Sequence, residues 1–150
     1  MKLVRKQGFT MVELIVALCM IATLGIIVLF PLNPIRKREA ENNNKRKSDV
    51  QAIRDAVHWY MNGHNGTPPS GITSTPQTIE KNGGIDLCTA LVPTTIGALP
   101  VDPLSNNGQP VTDCSTSYNT NYSIMINPLD KTITIAAPKA ELGASISVTQ

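Results

Sequence analysis

The sequence predicts an α+β fold: one long N-terminal helix, apolar on every side in its first half and along one stripe in its second, laid across a small antiparallel sheet of about three strands. Three observations carry this expectation. Gly8 to Leu32 is apolar almost throughout, with Glu13 its only charged side chain. Val50, Ile53, Val57 and Tyr60 recur at spacings of three and four, as one face of a helix does, with Ala56 and Met61 widening the stripe. Tyr122, Ile124 and Ile126, and again Ile133 and Ile135, alternate as half-buried strands do.

The chain has 150 residues and a formal net charge of +2, so charge alone selects no class of partner. Met1 to Gly8 is short and basic through Lys2, Arg5 and Lys6, like the leading region of an export signal. A secretory signal would end a shorter apolar region at a small-residue cleavage site, whereas here the run is longer and the glycine precedes it. From Phe9 to Leu32 a helix would extend about 36 Å at roughly 1.5 Å per residue, enough for a hydrocarbon core of about 30 Å. A carboxylate such as Glu13 costs on the order of 2.5–3.5 kcal/mol at the centre of a membrane helix and less near its end. A compensating partner is therefore expected.

Lys6-Gln7-Gly8 followed by Phe9-Thr10-Met11-Val12-Glu13-Leu14 resembles the prepilin processing site of type IV pilins and type II secretion pseudopilins. The resemblance implies a leader of residues 1–8, cut after Gly8 by a dedicated membrane peptidase, and a mature chain beginning at an N-methylated Phe9. It marks Glu13 as the glutamate required for assembly. It also implies a pilin fold, with residues 9–32 as the transmembrane and filament-core helix and 33–150 as an exported globular domain. The partners implied are further copies of the chain in a helical filament, the prepilin peptidase, and an assembly platform with its ATPase machinery. No cofactor and no enzymatic activity are expected. The chain would begin as a single-pass protein of the cytoplasmic membrane with its N-terminus inside, then become part of an extracellular pilus serving adhesion, motility or DNA uptake. A pseudopilin of a secretion or competence system is the alternative, and a membrane-anchored binding module or enzyme is a weaker one. Physical reasoning agrees: a free amine at Phe9 of one subunit can pair with Glu13 of a neighbour, and in a low-dielectric setting that pairing sets the register.

Arg36, Lys37, Arg38, Lys45, Arg46 and Lys47 outnumber the basic residues before the span, which by simple counting would hold the C-terminal side in the cytoplasm. Long downstream domains translocate largely regardless of charge, so the processing motif decides the topology. In an exported domain Cys88 and Cys114, the two cysteines outside the apolar run, are free to pair. Chain entropy predicts about 3–4 kcal/mol from that loop closure. Cys19 reads as a small buried apolar residue.

Gly25, Pro31 and Pro34 weaken the long helix, with a kink or melted stretch expected near Pro31. Residues 33–62 continue the helix beyond the membrane. Their first half, Ile35 to Lys47, is too polar to bury a face and reads as a weak helix or hinge. Its basic cluster reads as a solvated collar partly offset by Glu39 and Glu41. Contact with anionic lipid headgroups is a second reading. A nucleic-acid backbone is a third, unsupported because no aromatic residue interleaves the cations. Asn62-Gly63 and Asn65-Gly66-Thr67-Pro68-Pro69 end the helix.

Residues 63–85 are rich in Gly, Pro, Ser and Thr and read as a loop. Asp86 is placed to cap a short helix through Leu87 to Val92, with Leu87 and Leu91 facing the core. Leu99-Pro100-Val101-Asp102-Pro103, followed by Asn106-Asn107-Gly108, resembles a segment and turn of major pseudopilins and of some related pilins, although Leu104-Ser105 departs from the pseudopilin pattern. Asn127 to Asp130 reads as the turn between two strands, and Ile146 with Val148 as a third strand. His58 and His64 lack metal-ligand spacing, and the acidic density of a calcium loop is missing between Ile126 and Pro138, so no metal is expected. Asp102, Asp113 and Asp130 read as backbone caps of turns.

Overall fold

The computed structural model divides the chain into two units, Met1–Lys37 and Arg38–Gln150, and describes residues 8–29 and 34–150. In the first unit, helix α1 spans Met11–Leu29. Gly25 lies inside that continuous helix, so it does not break it. The expected break at Pro31 falls outside the described residues. Among the described residues no helix is long and apolar enough to cross a membrane; the apolar run itself continues through residues 30–32, which are not among them.

Helix α2 spans Pro34–Gly63. Pro34 is its first residue, where a missing N–H costs nothing because that donor would be unpaired anyway. The helix ends in a Schellman arrangement: Asn65 is left-handed with φ 53°, and Gly66 N donates to Met61 O at 2.8 Å. The expectation of a weak helix or hinge between Ile35 and Lys47 is corrected, since α2 runs through it unbroken. The reason is polar burial. Asn43, Arg46 and Asp49 are buried alongside Val50, Ile53, Ala56 and Val57, so the stripe continues toward the N-terminus with polar side chains that find partners.

Four antiparallel strands follow, in the order β1 (Gln77–Glu80), β2 (Asn119–Ile126), β3 (Ile133–Ala136) and β4 (Ser147–Thr149). Ile124 sits opposite Gln77 on one side and Ile135 on the other, and Ile135 faces Val148. The turn between β2 and β3 lies at Asn127–Asp130, where Asn127 Oδ1 accepts from Leu129 N at 3.0 Å and Asp130 Oδ1 from Thr132 N at 3.0 Å. The expected three strands become four because β1 lies within residues 63–85, read as loop. Only Ile79 in β1 is apolar and buried, too little for a periodic signal. On its other side β1 is bridged to Ile85, with Ile85 N donating to Thr78 O at 2.9 Å and Glu80 N to Ile85 O at 3.0 Å. Gly84 permits this approach: a Cβ there would lie 2.0 Å from Thr78 O.

A short helix, α3 (Cys88–Leu91), sits between β1 and β2. Asp86 Oδ1 accepts from Cys88 N at 3.0 Å, giving the cap read from sequence. Leu87, Cys88 and Leu91 join Leu99 and Val101, the α2 stripe, Tyr122, Ile124, Ile133 and Ile135 in one core.

Candidate functional site

The start of α1 is built by two residues that serve each other. Thr10 stands just before the helix, and its Oγ1 accepts from Glu13 N at 3.3 Å. Glu13 Oε2 accepts in return from Thr10 N at 3.4 Å and Thr10 Oγ1 at 3.3 Å. This is a capping box, Thr-x-x-Glu, in which two otherwise unpaired backbone donors are satisfied reciprocally. The sequence reading treated Glu13 only as a charge awaiting a partner on another chain; the signal missed was the three-residue spacing to Thr10. The carboxylate also lies at the positive end of the helix dipole.

Around that cap the surface is apolar. Phe9 is 80% exposed and Met11 85%, and Val12, Leu14, Ile15, Leu18, Ile21 and Leu24 are exposed as well. Successive positions around the helix are thus uncovered, and none of residues 11–25 belongs to the core. Cys19, read from sequence as a small buried apolar residue, is exposed with its described neighbours. Gly8 is exposed, and a Cβ there would meet nothing within 4 Å.

Along α2 the basic cluster separates into two kinds of residue. Arg36, Lys37, Arg38 and Lys47 are exposed, whereas Arg46 is fully buried. Its Nε donates to Asp102 Oδ2 at 2.7 Å and its Nη2 to Asp102 Oδ1 at 3.2 Å. Its Nη1 donates to Glu141 Oε2 at 2.7 Å and to Asn43 Oδ1 at 3.0 Å. Arg46 therefore does not belong to the solvated collar expected from sequence. Asp102 does cap a turn, accepting from Leu104 N at 2.9 Å, but it is also the buried counter-ion of Arg46. Hydrogen bonding to Asp102 raises the Arg46 pKa despite burial, and hydrogen bonds from Arg46 and Asn42 hold the Glu141 carboxyl below its ordinary value. Beside this cluster Tyr122 OH donates to Asp49 Oδ2 at 2.7 Å. Burial, reinforced by Asp49, pushes the phenol up so that it stays protonated.

Cys88 and Cys114 are joined in a disulfide, with Cα atoms 5.4 Å apart. Lys81 Nζ donates to Cys114 O at 2.6 Å, and Tyr118 OH donates to Asp86 Oδ1 at 2.8 Å. Burial pushes the Asp86 carboxyl up, but hydrogen bonds from Tyr118 and Lys81 outweigh it and hold the group below its ordinary value. His58 is exposed, and His64 stacks on Tyr60 at 3.9 Å with its Nδ1 2.7 Å from Tyr60 O. Among the described residues no group of three or more His, Cys, Asp or Glu side chains is placed to hold a metal ion. Comparison with protein-family models, curated proteins and solved structures finds no match to this chain.

Proposed function

We propose that the chain is the structural subunit of a type IV pilus, processed after Gly8 and polymerised through α1. The observation that carries this reading is the junction Gly8-Phe9 standing directly before a helix apolar on every side, with Glu13 in its first turn. A helix without a polar face needs cover on all sides. The cytoplasmic membrane would provide it before assembly, with the N-terminus inside, and neighbouring α1 helices in the surface filament afterwards. Packing among the described residues gives no reason for glycine at position 8; recognition by a prepilin peptidase would.

Cleavage would free an amine at Phe9. Inside an apolar filament core an unpaired amine and an unpaired carboxylate are each heavily penalised, so the Phe9 amine of one copy pairs with Glu13 of the next. Thr10 engages Oε2 of Glu13, leaving Oε1 for the incoming amine. The assembly platform and its ATPase would extract subunits from the membrane, and the filament would serve adhesion, motility or DNA uptake. The pseudopilin alternative shares this chemistry; the segment Leu99–Pro103 resembles major pseudopilins and some related pilins alike, and Leu104-Ser105 departs from the pseudopilin pattern. Glu13→Ala is expected to be processed after Gly8 yet yield no filaments, as read by N-terminal sequencing and electron microscopy. Normal filament yield from that variant would refute the pairing. Gly8→Val is expected to retain residues 1–8.

A further inference from the structure

Three segments distant in sequence, around Glu80–Asn82, Ser105–Asp113 and Thr116–Asn119, converge on an open groove of about 510 Å³ in the Arg38–Gln150 unit. Its walls are held before any ligand arrives. Asn82 Nδ2 donates to Ser117 Oγ at 3.1 Å, and Asn119 Nδ2 donates to Glu80 Oε2. Asp113 Oδ1 accepts from Ser115 N at 2.8 Å, and Tyr118 is fixed through Asp86. Val111, which also lines the groove, exchanges two backbone hydrogen bonds with Leu99 in the core, at 2.8 and 2.9 Å. The disulfide at Cys114 anchors the chain directly after Asp113.

Apart from Pro110 and Val111 the lining side chains carry amides, hydroxyls and two carboxylates, Glu80 and Asp113, with no lysine, arginine or histidine. Each carboxylate has one oxygen engaged in holding the wall. Among the described residues Glu80 Oε1 and Asp113 Oδ2 accept no hydrogen bond. Hydrogen bonds from Ser115 hold Asp113 below its ordinary value, so it is charged at neutral pH.

We propose that this groove binds a neutral saccharide. Sugar hydroxyls both donate and accept, matching free carboxylate oxygens beside amide and hydroxyl groups, and bonds to a carboxylate are the stronger kind. Two negative charges, offset only in part by Lys81 near Asp113, disfavour anionic ligands, and a pre-held wall spares the ordering cost of binding. Convergent polar groups in a concavity of this size are what small-molecule sites share. A hard divalent cation, the other occupant that carboxylates suggest, takes six to eight oxygen ligands, and among the described residues these two carboxylates belong to no group of three or more metal-ligating side chains. The site lies wholly within Arg38–Gln150, so it stands or falls independently of pilus assembly.

The test is calorimetric titration of the full-length chain, in a detergent without a sugar headgroup, with lactose, cellobiose and N,N′-diacetylchitobiose. Sialyllactose and calcium chloride are titrated in parallel. At least one neutral disaccharide is expected to bind with a Kd on the order of 1 mM or tighter, and sialyllactose about tenfold more weakly than lactose. Asp113→Asn and Thr112→Val, both at exposed positions, are expected to weaken binding about tenfold each, Thr112→Val with an unchanged melting temperature. Thr112 is not hydrogen-bonded through its side chain among the described residues, so that variant does not put the fold at risk. No binding by all three disaccharides, binding unaffected by both variants, or displacement of the sugar by calcium would each overturn the proposal.

Discussion

Arg46 is the residue on which the polar half of α2 depends. A fully buried guanidinium is tolerable only when its donors are matched, and here Asp102, Glu141 and Asn43 match them. The pairing has a consequence in acid. Glu141 and Asp86 both sit below their ordinary values of 4.5 and 3.8 in the folded chain. A carboxyl depressed by folding contributes its stability in full above the unfolded value and loses it as pH falls through the folded one. Stability should therefore be level from neutrality to about pH 5 and fall below about pH 4.5, read as the urea midpoint of the globular unit. Glu141→Gln should flatten that decline. An unchanged pH profile in this variant would remove Glu141 from the account.

At the scale of elements, α2 and the β2–β3 pair were legible because their signals are local. Val50, Ile53 and Val57 announce a helix face, Tyr122, Ile124, Ile133 and Ile135 announce strands, and all are buried. The ion cluster was not legible, since Asp102 and Glu141 lie 56 and 95 residues from Arg46 and nothing local distinguishes Arg46 from its exposed neighbours. Strand β1 was hidden for a related reason: it is specified by β2 on one side and Ile85 on the other, not by its own pattern. That makes Gly84 the residue β1 depends on. Gly84→Ala should destabilise the domain by about 1–3 kcal/mol, the usual range for forced overpacking, because its Cβ would collide with a backbone carbonyl. Equal denaturation midpoints for the variant and the parent would show that the β1 loop relaxes freely. The capping box at Thr10 and Glu13 is the opposite case, readable from spacing alone and overlooked because the charge of Glu13 invited an intermolecular explanation.

At the scale of the whole molecule the two units differ in what they lack. Arg38–Gln150 has its own core, built from one helix stripe, four strands and the connections that carry Cys88 and Cys114. In α1 none of residues 11–25 belongs to that core, and large apolar side chains there are exposed. Leaving such a surface in water is unfavourable at about 25 cal/mol per Å², so cover by a membrane or by other copies of the chain would stabilise α1. The proposal that it takes both in turn rests on cleavage after Gly8. The measurement that tests it most directly is intact mass and N-terminal sequencing of the chain in filaments sheared from cells, with the remaining membranes assayed in parallel. Abundant chains beginning at an N-methylated Phe9 in the sheared fraction are the predicted result. A chain still beginning at Met1 under native expression would contradict it.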